Sequence, residues 1–245
     1  MKTVQFLSNS PQVESIIKGL NLTKSLMVSS IIIGEPYTGK KSLVQNIFPK
    51  ASFVDGSDKN ALSVALDNHD EIVIYNFESI VDISTLDFSN KRVIAISDSM
   101  HNTLAIEEKF AFIYKMPTLH ERPEDVSLLI EYFSKSIKKE LTIESDQVIE
   151  IDSKELKENI KSLKAAIYRQ LITSTLDSKD IEKILFQYLS KHIDGNNVYR
   201  DYLGIYERPL IMAGLKKFKS QLKLSSVLGL NRNTLRKKIH EHNID

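Results

Sequence analysis

The stretch Ile31-Ile-Ile-Gly-Glu-Pro-Tyr-Thr-Gly-Lys-Lys-Ser-Leu-Val44 holds the first residues able to do chemistry. Gly34 and Gly39 bound a loop whose backbone N–H groups can converge on an anion, and Lys40 adds a cation. Between a strand and a helix start, such a loop cradles phosphates while the lysine reaches the β/γ-phosphates. Where a Ser or Thr would hold Mg²⁺ the chain has Lys41, with Ser42 one place later. Taken alone, the residues also allow an ordinary strand–helix turn.

A second chemistry lies at the other end. Residues 208–245 carry nine of the 33 basic residues and two of the 32 acidic ones, a net of +7 against −6 for the remainder. Such asymmetry points towards nucleic acid. Within Ser220–Ile239, Leu222, Val227 and Leu228 give a short helix an apolar face, and small Ser225 and Ser226 admit a close neighbour. Gly229 suits the left-handed position of a tight turn, and Asn231 can cap the next helix. Leu235 and Ile239 hold that helix on a core, which leaves Arg232, Asn233, Arg236 and Lys237 to project elsewhere. The pattern predicts a helix-turn-helix with a basic recognition helix, Arg and Asn suited to base edges, Lys and Thr to phosphates. A solvated basic helix closing a helical domain is the alternative that charge alone allows.

The elements that must position these residues follow from hydrophobic patterning. Apolar runs at 30–34, 71–76, 91–97 and 110–114 read as strands buried on both faces, hence a parallel sheet. Helices are expected over 11–26, 41–48, 60–67 and 102–109. From Pro123 the pattern turns helical, over 124–141, 153–160, 163–176 and 178–192. Residues 194–197 read as a linker, and the last 48 residues as helices broken at Gly229. The 245-residue chain has 42% hydrophobic and 27% charged residues and a net charge of +1, which suits a folded globular protein. It has no cysteine, so disulfides, thiolate metal sites and cysteine nucleophiles are excluded. No apolar run approaches the ~18 residues of a membrane span. Residues 1–6 show no signal-peptide pattern, so a cytoplasmic protein without membrane contact is expected. The six histidines are scattered, and His240 and His242 are two apart, the wrong spacing for one helix face. No metal site is expected. Tyr199, Tyr202 and Tyr206, at roughly helical spacing, read as core or dimer contacts rather than base-stacking groups.

Tyr206-Glu-Arg-Pro-Leu210 followed by Leu228-Gly-Leu-Asn-Arg-Asn-Thr-Leu-Arg-Lys-Lys238 resembles the Fis-type helix-turn-helix, over about 48 residues. The resemblance implies DNA contact at Asn231, Arg232, Thr234 and Lys237, and a homodimer through roughly 197–218. Lys219-Ser220 departs from a frequent Gly-Asn, though Ser220 can still cap a helix and donate to phosphate. The expected DNA-contacting set is Ser220, Asn231, Arg232, Asn233, Thr234, Arg236, Lys237 and Lys238, on double-stranded DNA.

The loop Gly-Glu-x-x-Thr-Gly-Lys is similar to the Walker A of the AAA+ domain of bacterial enhancer-binding, NtrC-like activators of sigma-54 polymerase. Those usually lack Ser/Thr after the lysine too. Residues 8–17 are similar to the start of that domain, and 116–126 to its Pro-Leu-Arg-Glu-Arg-x-Glu-Asp-Ile stretch. The resemblance spans nearly the whole chain and implies an α/β AAA+ P-loop parallel sheet over 1–118, a helical lid over 119–193 and an all-α Fis-type domain over 194–245. It implies ATP or ADP as ligand, held by Gly34, Glu35, Thr38, Gly39, Lys40, Lys41, Ser42, Asn76 and Lys164, a set poor for Mg²⁺.

The catalytic positions of that family are mostly changed. Asn76 and Phe77 stand where it has Asp-Glu, with Glu78 displaced, and Asp98 replaces the sensor Asn. Residues 102–115, where an arginine finger belongs, hold only Lys109 and Lys115 as cations, and Lys164 replaces the second sensor arginine. No Gly-Ala-Phe-Thr-Gly-Ala loop lies between Lys40 and Asn76. Hydrolysis is therefore not expected, no catalytic residue is assigned, and the reading is a sequence-specific transcriptional regulator. Two rival readings are an active ATPase remodelling the sigma-54 RNA polymerase holoenzyme, and an interaction protein joining the oligomer of another AAA+ activator or modulating a replication initiator.

Overall fold

The computed structural model describes residues 6–100, 103–144 and 148–244. His101 and Asn102, the expected start of a helix, lie outside them. By internal contacts the chain divides into two compact units, 1–175 and 176–245.

The first unit is built on five parallel strands in the order β2-β3-β4-β1-β5. They are β1 (Ser30–Ile33), β2 (Ser52–Asp55), β3 (Glu71–Tyr75), β4 (Arg92–Ser97) and β5 (Phe112–Lys115). Strand alternation sends successive apolar residues to opposite faces. Ile31, Ile33, Ile72, Ile74, Val93 and Ala95 pack with α3 (Lys59–Asn68) and α4 (Thr103–Lys109). Ile32, Val73, Ile94 and Ile96 pack with α1 (Pro11–Leu26) and α2 (Lys40–Ile47). Each such side chain removed from water contributes about 1.5–3 kcal/mol, which explains why continuous apolar runs mark the central strands.

The edges depart from expectation. β2 was not expected, because only Val54 of its four residues is buried and so short a stretch shows no period. β5 starts at Phe112, not Phe110; Phe110 instead closes α4, its ring edge-on to Phe77 at 5.3 Å. A lid follows in the same unit: α5 (Pro123–Leu141) and α6 (Asn159–Thr175), packed around Leu129, Ile137, Leu163 and Ile167. The helix expected over 153–160 is a 3₁₀ turn at Ser153–Leu156 instead. Asn159, at φ +52°, breaks the helical path and restarts it as α6.

The second unit holds α7 (Ser178–His192), α8 (Val198–Phe218), α9 (Gln221–Val227) and α10 (Arg232–Glu241). Helix α7, expected in the lid, groups with these helices: Tyr202 on α8 donates to the His192 carbonyl at 2.6 Å and its ring meets Tyr188. The core here is small, with Ile211, Leu224 and Leu235 fully buried. The expected apolar face of α9 is corrected. Leu222 and Val227 are 65% and 58% exposed, and it is Leu224 and Ser225 that turn inward. Gly214 of α8 decides this, since a Cβ there would lie 2.3 Å from Leu224 Cδ1. Between α9 and α10, Gly229 takes φ +65° and Leu230 N donates to Ser225 O at 2.9 Å, the glycine-capped end that the sequence pattern predicts.

The end of α8 uses a lysine where glycine is favoured. Lys219 sits at φ +51°, a conformation that costs a residue bearing Cβ roughly 1–2 kcal/mol. Lys219→Gly is therefore expected to stabilise the second unit by up to ~1 kcal/mol, since glycine's freedom in the unfolded chain offsets part of the gain. Urea unfolding followed by circular dichroism checks it, and an unchanged or lower midpoint would refute it.

Candidate functional site

The phosphate loop joins β1 to α2 at the carboxyl end of a central strand, where open parallel sheets take ligands. Two glycines let the backbone pass. A Cβ on Gly34 would lie 2.6 Å from the Met116 carbonyl oxygen, and Gly39 adopts φ +98°. Thr38 is buried, its hydroxyl donating to the Glu35 carbonyl at 2.9 Å, which tightens the turn. Tyr37, Thr38, Gly39, Lys40, Lys41 and Ser42 line a cavity of about 820 Å³ together with Asn76, Asp98 and Lys164. So of the expected ligand set, Gly34 and Glu35 do not face the cavity. Their backbone carbonyls hold Lys40, and the Glu35 carboxylate accepts from Asn159 Nδ2 at 3.1 Å.

Lys40 is almost wholly buried, and its ammonium donates to Gly34 O at 2.5 Å, Glu35 O at 2.6 Å and Asp98 Oδ1 at 2.8 Å. Burial pulls its pKa below the ordinary lysine value, against the opposing pull of Asp98, Glu78 and Glu35. Glu78, the displaced carboxylate, accepts from Ser97 Oγ and from Asp98 N, both at 3.0 Å. Lys41 lays its ammonium over the Tyr75 ring, 3.4 Å from the centroid. Lys164 sits 4.5 Å from the Phe133 ring centroid. Asn76 donates to both Asp55 oxygens at 3.1 Å, and that carboxylate lies below its usual pKa, chiefly through the Ser57 backbone N–H and hydroxyl. These groups fit phosphate and do not fit Mg²⁺. The amide of Asn76 stands where a carboxylate would hold the ion, and Lys41 stands where a Ser or Thr hydroxyl would.

Sequence reasoning missed two residues that position the loop. Arg122, 1% exposed, donates through Nη2 to the Thr38 carbonyl and through Nη1 to Asp125 at 3.2 Å. Asn159 accepts from Leu119 N at 2.7 Å and donates to the Pro36 carbonyl and Glu35 carboxylate, each at 3.1 Å, tying α6 to the loop. Arg122 lies within the stretch 116–126, where its neighbours in sequence give no sign of a buried partner. Asn159 carried no signal beyond its tolerance of a left-handed φ.

The second site is α10. Asn231 caps it, Oδ1 accepting from Asn233 N at 2.8 Å, and Ser220 caps α9, Oγ accepting from Lys223 N at 3.3 Å. Buried Leu235 fixes the rotation, so Arg232, Asn233, Thr234, Arg236 and Lys237 are exposed. Lys238 does not join them. It is half-buried and paired with Glu207 of α8, which also meets His242 Nε2 at 3.1 Å. The pairing with Lys238, then His242, holds the Glu207 carboxyl below its usual pKa. Tyr199 and Tyr206 are exposed in this chain, so they are not part of its own core. No helix among the described residues is long and apolar enough to cross a membrane.

Residues 203–242 match the bacterial regulatory proteins of the Fis family. NtrC of Azospirillum brasilense is 31% identical over 169 residues, covering 53% of this chain and 35% of that protein. A putative NtrX-like response regulator of Rickettsia typhi is 26% identical over 184 residues, 65% of this chain and 38% of that protein. The chain thus spans little more than a third of the length of these curated relatives. The crystal structure of Brucella abortus NtrX in complex with ATP superposes with a TM-score of 0.52 at 14% identity, over 98% of this chain and 70% of that one. The Thermotoga maritima RuvB branch migration motor gives 0.50 at 12%, over 98% and 91%. The chain is thus similar in sequence to NtrC- and NtrX-like regulators, shares the fold of these AAA+ structures, a parallel α/β sheet with a helical lid, and carries a Fis-family helix-turn-helix over 203–242.

Proposed function

We propose that the chain is a sequence-specific DNA-binding transcriptional regulator whose AAA+ unit binds ATP or ADP without productive hydrolysis. The observation that carries the reading is the exposed row of Arg232, Asn233, Thr234, Arg236 and Lys237 on a helix that Asn231 caps and Leu235 rotates. Those side chains have the donors for base edges and phosphates that a major-groove helix uses. A homodimer through α8 fits the same picture. The second unit's own core is small, while Tyr199, Ile205, Tyr206, Leu210 and Met212 of α8 stay exposed. A dimer would place two recognition helices on half-sites about one helical turn apart.

Brucella NtrX has been crystallised with ATP and with ADP, and the glycine-bounded loop of this chain, with Lys40 and Lys41, suits the phosphates of such a nucleotide. Hydrolysis is disfavoured because residues 102–115, where the family's arginine finger belongs, hold no arginine, and loss of that finger alone costs about 10³–10⁵ in rate. Glu78, the nearest substitute for a base, already accepts from Ser97 and Asp98. The test is selection of the full chain against random duplexes, then gel shifts of the enriched sequences at rising salt. A recurring, two-fold symmetric motif and a salt-sensitive shift are expected. No enriched motif and no salt-sensitive shift would end the regulator reading.

A further inference from the structure

Asp98 stands at the C-terminal end of β4, facing the phosphate loop across the cavity. A lysine ammonium has three N–H donors. For Lys40 all three are engaged, two by the Gly34 and Glu35 carbonyls that anchor it to the loop and the third by the Asp98 carboxylate. In a loop of this type the lysine reaches the β/γ-phosphates. The donor that a terminal phosphate would take is therefore already given to a carboxylate. Glu78 lies directly behind, accepting from the Asp98 backbone N–H, so a second negative charge backs the first. The loop end nearer α2 is different: Lys41, its ammonium 3.4 Å from the Tyr75 ring centroid, lines the cavity there as a second cation.

We propose that Asp98 occupies the place of the terminal phosphate, so that the site takes a nucleoside diphosphate and rejects the triphosphate, with no divalent ion needed. This rests on the nucleotide-binding reading above. A third phosphate would have to displace the Asp98 carboxylate from Lys40 and sit beside it, like charge against like charge in a partly buried site. The diphosphate leaves that pair intact, and Lys41 supplies a fixed cation in place of a metal.

Isothermal titration of the full chain with ADP and with ATP, in EDTA and again with Mg²⁺, tests it. ADP is expected to bind at least about tenfold more tightly than ATP, with EDTA leaving its affinity within about twofold. Asp98→Asn, isosteric and uncharged, is expected to raise ATP affinity about tenfold while changing ADP little; Asp98→Ala gives a second reading, with folding checked by circular dichroism. Equal binding of the two nucleotides by the unaltered chain, or equal gains for both in Asp98→Asn, would overturn the selectivity and leave nucleotide binding standing. If the unaltered chain binds neither, or Lys40→Ala binds both undiminished, the nucleotide-binding reading falls and the selectivity with it.

Discussion

Asp125→Ala is expected to destabilise the first unit by about 3–5 kcal/mol, because it leaves a buried guanidinium without its counter-ion. Asp125 has no exposed surface. Its carboxylate accepts from Ser8 Oγ at 2.7 Å, Asn9 N at 2.6 Å, Ser10 N at 3.1 Å and Arg122 Nη1 at 3.2 Å. One carboxylate thus fixes the residues leading into α1, the N-terminal turn of α5 and, through Arg122, the Thr38 carbonyl of the phosphate loop. Surface ion pairs contribute ~1 kcal/mol or less, so the size of the loss separates this pair from an ordinary one. For a unit of this length the melting midpoint should fall by roughly 6–20 °C, at 2–4 °C per kcal/mol. Asp125→Asn should lose less, since the amide keeps an acceptor for a backbone N–H. A fall of under about 1 kcal/mol in urea unfolding of Asp125→Ala would show that Arg122 finds another partner, contrary to the geometry.

Arg232→Ala should weaken specific DNA binding by about 1–3 kcal/mol, roughly 5- to 150-fold, and relax preference at the base pair it reads. Arg232 is exposed in the first turn of α10, the end by which a recognition helix of this type would enter a groove, and makes no ion pair within the chain among the described residues. Lys237→Ala should act differently. A phosphate-directed cation lowers affinity for all sequences alike and reduces the slope of log affinity against log salt by about one per site. Lys238→Ala supplies the internal contrast. Its ammonium is held by Glu207, so the variant should lose stability in the second unit and keep the salt slope. Glu207 has a lowered pKa, so its contribution is present above the ordinary carboxylate range and fades as pH falls through the depressed value. In Lys238→Ala that acid-dependent part shrinks. Gel shifts across a salt series, with acid titration of the melting midpoint, read these outcomes. Equal salt slopes for all three variants, with no loss of specificity in Arg232→Ala, would sink the assignment of α10 to the groove.

Much of this molecule was legible before folding because its strongest signals are local. The glycines and lysine of 34–40, the apolar runs of β1, β3 and β4, and the Gly229 turn each follow from neighbours in sequence, and each forms as read. The cap at Asn231 and the exposure of Arg232 and Lys237 follow from one helical period. Amphipathic patterning failed where too few residues carried it. Helix α9 has seven residues, and its inward face was set by Gly214 on another helix, not by Leu222 and Val227.

What only the tertiary structure decided are pairings between residues far apart in the chain. Asp125 meets Ser8 across 117 positions, Asn159 meets Glu35 across 124, and Asp98 meets Lys40 across 58. The residue types at these positions made charge and hydrogen bonding available, but a carboxylate has no preferred partner until packing removes water and leaves one donor in reach. So the sequence alone established a phosphate loop and a basic helix. Burial decided that the loop's lysine is already partnered, and that one lysine of the helix is tied to Glu207 of α8.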